Sequence, residues 1–393
     1  MTRALETRPD LTRDDTDRLR DRLVQLTRDL VLIESTDSKP QERARCFQFI
    51  RNHLEGCPGV DISMHMDNGY ESLVALPDGV DRASVLFCGH LDVVDHPGRD
   101  RYLSSLEHGR ITGPGAGDMK GQLAILLQLF TRLLREHPGL PIGLLITSDE
   151  ERGGESGVRY MLQDVGLRCD VAVIPDGGSL TDITVQEKGI LHLRIHAGGH
   201  SAHAARPWLG RNPLDRLLSG LDRLRQTFDR LAPGHIDPDD IATHWFPTCS
   251  LTKVETPNQS INRIPDVASA LVDIRFPPPQ SAAAMLATVT QALGPELLID
   301  PIMQVEPTLL EPDPAFLDIT REVTGRETRL VRASAGSDAR FFCEQGIPVL
   351  LSRPYVGNLH GRNEWIDVES MLAYYEICRR YVQQRLVPPT AGT

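Results

Sequence analysis

The sequence lacks the features of a membrane-spanning or secreted protein. None of its apolar runs approaches the ~18 residues that a membrane-spanning helix needs. The first ten residues contain no apolar signal-peptide core. The seven cysteines are odd in number and never spaced as Cys-x-x-Cys, which argues against a disulfide framework or a cysteine-rich metal site. We therefore expect a soluble protein of the reducing cytoplasm.

An excess of basic charge is also missing. The chain has 42 Lys and Arg against 54 Asp and Glu, which gives a formal net charge of −12 at pH 7. This balance offers no electrostatic footprint for nucleic acid or for an anionic membrane. The glycine-rich loop at 113–117 lacks the Lys-Ser/Thr of a P-loop and does not match GxGxxG, which disfavours a site for a phosphorylated cofactor.

What the sequence does contain is an alternation of apolar runs with helical periodicity. The runs at 84–88, 142–147 and 171–174 each end in polar residues, and leucines recur at helical spacing over 123–134. A similar run at 347–351 precedes a final helical stretch. This order predicts an α/β fold with a mostly parallel sheet covered by helices. The 393 residues also exceed what one hydrophobic core usually serves, so we expect two domains.

The pattern changes after about residue 185. Strand-like and helical stretches follow in the order β-α-β-β-α-β, at 190–195, 212–224, 250–255, 268–276, 281–293 and 297–302. This order predicts a ferredoxin-like domain inserted within the larger one. We place the inserted domain at 188–302 and the two parts of the larger domain at 1–187 and 303–393.

Histidine and acidic residues follow the ends of the predicted strands. These residues are His90, Asp92, Glu150, Glu151, Asp176 and His360, and Asp118 follows the glycine-rich loop. Because ligands of open α/β sheets bind beyond the carboxyl ends of the strands, we expect these side chains to converge. Two histidines together with three of these carboxylates suit zinc, cobalt or manganese, and one bridging carboxylate would let them hold two ions. Two such ions ~3.5–4 Å apart can polarise a carbonyl and activate a shared water.

Each segment also has an ordinary structural interpretation. A histidine after a strand is commonly a core or surface group, and Asp118 suits a helix N-cap. Asp149-Glu150-Glu151 is typical of a solvated charge run, and Asp176 before two glycines is typical of a turn. The order and the strand-end placement of all the segments together favour the metal site.

At this point the residues resemble the dinuclear-zinc exopeptidase and deacylase family, which includes glutamate carboxypeptidase and aminoacylase. In the larger domain the matching segments are GHLDVV at 89–94, GAGDMKG at 115–121, TSDEE at 147–151, PDGG at 175–178 and HGRNE at 360–364. In the inserted domain they are HSAH at 200–203, NRIP at 262–265 and DIR at 273–275. The resemblance extends from about residue 20 to 385. It implies a metallopeptidase domain with an inserted lid and dimerisation domain.

The resemblance also implies which residues bind metal. Asp118 would bridge two divalent ions, most often zinc. Glu151 and His360 would complete one position, and His90 and Asp176 the other. The Asp118–Met119 peptide bond would be cis.

Three further roles follow from the resemblance. Asp92 would accept the second imidazole N–H of His90 and fix its tautomer. Glu150 would take a proton from the bridging water and return it to the leaving nitrogen. His203 would donate to the developing oxyanion, from the partner subunit of a homodimer.

The implied substrate is a short peptide or an N-acyl amino acid with a carboxylate next to the scissile amide. Candidates to hold that carboxylate are Asn262, Arg263, Arg275 and Arg340. A guanidinium binds a carboxylate bidentately, although each arginine could equally form a structural salt bridge. The sequence leaves a carboxypeptidase-like exopeptidase and a deacylase of the acetylornithine or succinyl-diaminopimelate type both open. An alternative of another class is a catalytically silent metal-binding protein, although neither Glu150 nor any ligand is missing.

Overall fold

The computed structural model describes residues 13–231 and 244–387. The chain divides into two compact units. The first contains Met1–Val185, Leu310–Val331 and Ser337–Thr393, and the second contains Gln186–Leu309 and Arg332–Gly336. The outermost parts of the predicted larger domain, 1–12 and 388–393, lie outside the described residues.

The described helices and strands are numbered here in chain order. The helices are α1 (Arg13–Val31), α2 (Pro40–Leu54), α3 (Gly121–Glu136), α4 (Pro213–Leu231), α5 (Ala282–Leu293), α6 (Pro314–Thr324), α7 (Ala339–Glu344) and α8 (Val368–Leu386). The strands up to the inserted segment are β1 (Val60–Asp67), β2 (Tyr70–Pro77), β3 (Val85–His90), β4 (Ser105–Glu107), β5 (Arg110–Thr112), β6 (Ile142–Thr147), β7 (Ala172–Ile174) and β8 (Asp182–Glu187). The remaining strands are β9 (Gly189–Gly198), β10 (Ala202–His203), β11 (Thr248–Glu255), β12 (Arg263–Ile264), β13 (Val267–Phe276), β14 (Leu298–Val305), β15 (Thr308–Leu309), β16 (Arg329–Ala333), β17 (Val349–Leu351), β18 (Val356–Gly357) and β19 (Trp365–Asp367).

The main sheet of the first unit has the strand order β1-β2-β6-β3-β7-β17. Strands β6, β3, β7 and β17 run parallel, which confirms the predicted mostly parallel sheet. The antiparallel hairpin β1–β2 at one edge was not predicted. Its turn contains Asn68 and Gly69, both with positive φ, and an Asn-Gly pair is a strong hairpin signal.

Helices cover the main sheet on both faces, so its central strands are fully buried. Phe87 of β3 packs into a core with residues of α1, α3 and α8, whereas its neighbour Leu86 packs into a second core with Val158 and with Phe342 of α7. Successive side chains of a strand point to opposite faces, which explains this division. Burial on both faces also explains why β3 and β6 read as continuous apolar runs in the sequence.

The second unit is built on an antiparallel sheet with the order β11-β13-β9-β14, with α4 and α5 packed against it. Its elements follow the predicted order β-α-β-β-α-β. Helix α4 begins at Pro213, and the Asn212 side chain accepts a hydrogen bond from the Leu214 N–H at 3.1 Å, as expected of an N-cap. Strand β14 continues to Val305, past the predicted end at 302. The α/β fold with an inserted ferredoxin-like arrangement is therefore confirmed.

Within the described ranges, no helix is long and apolar enough to span a membrane.

Candidate metal centre

The parallel strands of the first unit present the predicted polar residues at one edge of the sheet. Strand β3 ends at His90, β6 ends three residues before Glu150, and β7 ends two residues before Asp176. These strands are parallel neighbours, so their carboxyl ends meet at the same edge. His360 lies between β18 and β19, with a backbone φ of 58°, which is uncommon for a residue other than glycine.

The side chains form two groups of three possible metal ligands. The groups are His90 with Glu150 and Asp176, and Asp118 with Glu151 and His360. In each group the three ligand atoms lie within 4.8 Å of one another. The structure therefore brings together all five residues predicted to bind metal, with Glu150 beside them.

Asp118 lies between the two groups. Its Oδ1 is 3.3 Å from Nε2 of His90, and its Oδ2 is 3.3 Å from Nε2 of His360. The same nitrogen of His360 is 3.2 Å from Oε1 of Glu151. Each carboxylate oxygen of Asp118 thus faces a histidine of a different group, as a bridging ligand requires.

The loop before α3 fixes the position of Asp118. The Asp118–Met119 peptide bond is cis, as predicted. One carboxylate oxygen of Glu364 accepts hydrogen bonds from the backbone N–H of Gly117 at 2.8 Å and of Asp118 at 2.9 Å. Burial, followed by the charge of Asp118, raises the pKa of Glu364 to about 7. Glu364 belongs to a recognised motif, but the sequence alone did not assign it a role.

Asp92 connects His90 to the turn that carries the two glutamates. Its Oδ1 is 3.4 Å from Nδ1 of His90, and its Oδ2 accepts a hydrogen bond from the Glu151 N–H at 3.0 Å. The backbone carbonyl of Asp92 also lies 3.0 Å from Nδ1 of His90. These contacts hold the imidazole with Nε2 directed at Asp118.

The turn Glu150–Arg152 is held by buried polar groups that the sequence did not single out. Asp149 accepts hydrogen bonds from the N–H groups of Ser156 at 2.7 Å and Gly157 at 2.9 Å. Arg340, predicted as a substrate residue, is buried and donates to the carbonyl of Gly153 at the end of the turn. This contact gives Arg340 a structural role.

The buried carboxylates of the centre favour the binding of cations. Burial raises the pKa values of Glu150 and Asp176 well above their usual range, and the neighbouring carboxylates raise them further. Burial also opposes ionisation of Asp118, but the adjacent imidazoles of His360 and His90 hold the pKa of its carboxyl below its usual value. Divalent ions would relieve the repulsion among these carboxylates.

The donor atoms fit a metal ion. Two buried atoms of the groups, Nε2 of His90 and Oε1 of Glu151, have no hydrogen-bond partner within the described part of the chain. Buried polar atoms are normally paired, so unpaired ones at a convergence of carboxylates and imidazoles indicate a missing partner. Nitrogen and oxygen donors of this kind are those that zinc, cobalt and manganese accept.

The other four predicted residues lie in the second unit. His203 is exposed on β10, and its Nδ1 accepts a hydrogen bond from the Ala205 N–H at 3.1 Å. Arg275 forms an ion pair with Asp273 at 2.7 Å, so it already has a carboxylate partner. Asn262 and Arg263 line a hollow of about 370 Å³ together with Ser201, Ala202, His203 and Ser260.

Sequence reasoning missed one arginine at the metal centre. Nη1 of Arg353 lies 3.4 Å from Oδ1 of Asp176. Arg353 follows β17 by two residues, so the strand-end rule that identified His90 and Asp176 could have identified it as well.

The chain is similar to known proteins over most of its length. The sequence pattern of peptidase family M20/M25/M40 matches residues 86–384. A succinyl-diaminopimelate desuccinylase of Acidiphilium cryptum (strain JF-5) is 31% identical over 317 residues, covering 76% of this chain and 82% of that protein. One of Parvibaculum lavamentivorans is 30% identical over 314 residues, covering 74% of this chain and 75% of that protein.

Solved structures share the fold. A metallo-carboxypeptidase of the M20 family from Sulfolobus solfataricus aligns with a TM-score of 0.74 at 17% identity, covering 92% of this chain and 98% of that one. Aminopeptidase PepT from Bacillus cereus aligns with a TM-score of 0.72 at 20% identity, covering 93% and 98%.

The fold, the paired ligand groups and these similarities define a metal-dependent hydrolase of amide bonds. The chain belongs to peptidase family M20/M25/M40.

Proposed function

We propose that this hydrolase uses two divalent metal ions to cleave the amide bond of a short peptide or an N-acyl amino acid, next to a free carboxylate. The observation that carries the proposal is the pair of ligand groups with Asp118 between them. Zinc is the ion we expect, because two imidazoles and three carboxylates suit it, and cobalt or manganese are the alternatives.

The residues would divide between the two ions as follows. His90 and Asp176 would hold one ion, Glu151 and His360 would hold the other, and Asp118 would bind both. When bound, such ions polarise the scissile carbonyl and lower the pKa of a water molecule between them. Asp92 would keep Nε2 of His90 free for the metal by occupying the Nδ1 side, where its backbone carbonyl lies at 3.0 Å and its Oδ1 at 3.4 Å.

Glu150 is the group we assign to proton transfer. Its Oε2 is 3.9 Å from Nε2 of His90, so it borders the centre without the close contacts that Glu151 makes. Burial, partly offset by His90, raises the pKa of Glu150 above its usual range. A raised pKa suits a carboxylate that accepts a proton from water and returns it to the leaving nitrogen.

His203 is the proposed donor to the oxyanion. Because its Nδ1 accepts the Ala205 N–H, a neutral imidazole carries its proton on Nε2 and can donate it. We propose that the segment 188–302 acts as a lid and dimerisation domain and that His203 serves the site of the partner subunit in a homodimer. The alternative is that His203 only stabilises its own loop through this bond.

A specific observation favours deacylation over peptide cleavage. The relatives with about 30% identity are named succinyl-diaminopimelate desuccinylases, which suggests an N-acyl amino acid as the substrate. The exopeptidase alternative draws on structural neighbours named aminopeptidase and carboxypeptidase. We also propose that the protein works in the cytoplasm on such small molecules.

The experiment that tests this function is a substrate panel. Zinc-, cobalt- and manganese-loaded protein is given N-succinyl and N-acetyl amino acids and dipeptides, and release of the free amine is measured. We expect hydrolysis of at least one class, with N-acyl amino acids ahead of dipeptides. Metal-loaded protein that hydrolyses none of them contradicts the proposal.

A further inference from the structure

Arg353 places a positive charge directly beside the metal centre. It lies two residues beyond β17, and its side chain is only 16% exposed. Its Nη1 is 3.4 Å from Oδ1 of Asp176, a residue of the first ligand group. Both side chains belong to the first unit, so this contact lies within one compact body.

The guanidinium of Arg353 has an N–H donor that is not used in a hydrogen bond to any described residue. Its Nε is buried and has no hydrogen-bond partner within residues 13–231 and 244–387. A guanidinium carries five N–H donors, and the contact with Asp176 is longer than a charge-assisted hydrogen bond usually is. A buried donor without an acceptor is costly, which points to an acceptor that arrives with a ligand.

Two of the three arginines predicted for this task, Arg340 and Arg275, are already engaged with other groups. Arg340 is 6% exposed and donates to the Gly153 carbonyl, with Glu155 at 3.8 Å. Arg275 holds both carboxylate oxygens of Asp273, at 2.7 and 3.1 Å. Arg353 combines a position at the metal ligands with an unused donor.

We propose that Arg353 binds the carboxylate of the substrate next to the scissile amide. The inference rests on the proposed function and names the residue that recognises the substrate. When Asp176 also binds a metal ion, its ion pair with Arg353 becomes weaker. The planar guanidinium of Arg353 can then bind a second carboxylate. The same fork matches a carboxylate bidentately, which a primary amide cannot reproduce.

The test compares pairs of compounds that differ only at this group. The free acid and the primary amide of N-acetyl amino acids, N-succinyl amino acids and dipeptides are titrated calorimetrically into zinc-loaded protein carrying Glu150→Ala, which slows turnover. We expect the acid to bind more tightly in at least one pair. Arg353→Ala should weaken binding of that acid about 10–100-fold and leave the amide unchanged, since hydrogen bonds to charged groups are of this strength. Arg353→Lys should recover part of the loss.

Arg326→Ala is the matched control. Arg326 is an exposed arginine that donates a hydrogen bond at 3.1 Å to the hydroxyl of Tyr355, and Tyr355 lies two residues after Arg353. Removing the Arg326 side chain should change the binding of neither the acid nor the amide. Zinc content is measured for every variant. Equal binding of the acid and the amide in every pair overturns the inference. It is also overturned if Arg353→Ala loses zinc and binds both compounds more weakly by the same factor, because Arg353 then acts only on Asp176. Hydrolysis by protein with Glu150 intact is scored separately, so failure of the proposed function is recognised independently.

Discussion

At the residue scale, the centre gives two adjacent glutamates different surroundings. Oε1 of Glu151 lies 3.2 Å from His360, and its backbone N–H is held by Asp92. Glu150 has no carboxylate–imidazole contact shorter than 3.9 Å among the described residues, and burial raises its pKa. We therefore assign metal binding to Glu151 and proton transfer to Glu150, although Glu150 is close enough to His90 and Asp176 to be a ligand.

The first prediction separates these roles. Glu150→Ala should keep both metal ions and the fold while lowering turnover about 10²–10⁴-fold, the usual contribution of a general acid–base group. Glu151→Ala is the matched variant and should lose metal. Metal content by mass spectrometry and turnover are measured together. If Glu150→Ala loses an ion stoichiometrically, Glu150 is a ligand and the assignment is wrong.

The second prediction concerns the pH dependence of stability through Glu364. Burial and the charge of Asp118 raise its pKa from 4.5 to about 7 in the folded protein. An acid with a raised folded pKa contributes stability that is complete below pH 4.5 and is lost as the pH rises through about 7. In metal-free protein, this group should lower the free energy of unfolding by on the order of 1–3 kcal/mol across that range. Urea unfolding at several pH values should show that the free energy of unfolding falls less steeply with pH in Glu364→Gln than in the unchanged protein. Equal pH dependence of the two proteins would refute the assignment.

At the element scale, the strand ends explain what the sequence could predict. The apolar runs before His90 and Asp176 form parallel strands, and they are apolar throughout because both faces of the sheet are covered. The helix predicted after Asn212 begins at Pro213. The hairpin β1–β2 was not predicted, although its Asn68-Gly69 pair is a strong hairpin signal.

Contacts made by distant residues were beyond the reach of sequence patterns. Glu364 accepts the Gly117 N–H across 247 positions of the chain and the Asp118 N–H across 246. Spacing and periodicity report on neighbours along a helix or strand, so they carry no signal for such pairs. The residues at strand ends were found because topology alone places them at one edge.

The third prediction tests the loop that presents Asp118. A Cβ on Gly117 would meet the backbone oxygen of Trp365 at 2.9 Å and the side chain of Leu359 at 3.0 Å. Gly117→Ala should therefore lower the free energy of unfolding by about 1–3 kcal/mol, as overpacking does, and weaken metal binding. At Gly56 a Cβ would meet nothing within 4 Å, so Gly56→Ala is the control and should stay within about 0.5 kcal/mol. Equal stability of the two variants would show that the loop yields.

At the scale of the whole molecule, the metal ligands and His203 belong to different compact units. The first unit carries both ligand groups, whereas His203 lies exposed on β10 of the second. Two-fold dimers are the commonest oligomers of soluble proteins, and we propose that such a dimer lets the second unit of one chain serve the metal centre of the other.

The fourth prediction is therefore subunit complementation. Glu150→Ala and His203→Ala chains, each nearly inactive alone, should regain activity when mixed, because a heterodimer has one site with both groups intact. Removing an oxyanion donor costs roughly 2.7–4 kcal/mol of transition-state stabilisation, so the recovery is measurable. Verified subunit exchange without recovery would show that His203 does not act across a dimer interface.

The central claim, a hydrolase that needs two metal ions, is tested most directly by titrating zinc into chelator-treated protein while bound metal and amide hydrolysis are measured in the same samples. The account predicts no hydrolysis without metal, two ions bound per chain at saturation, and full activity only when both ligand groups are filled. Full activity in metal-free protein, or saturation at a single ion per chain, would contradict it.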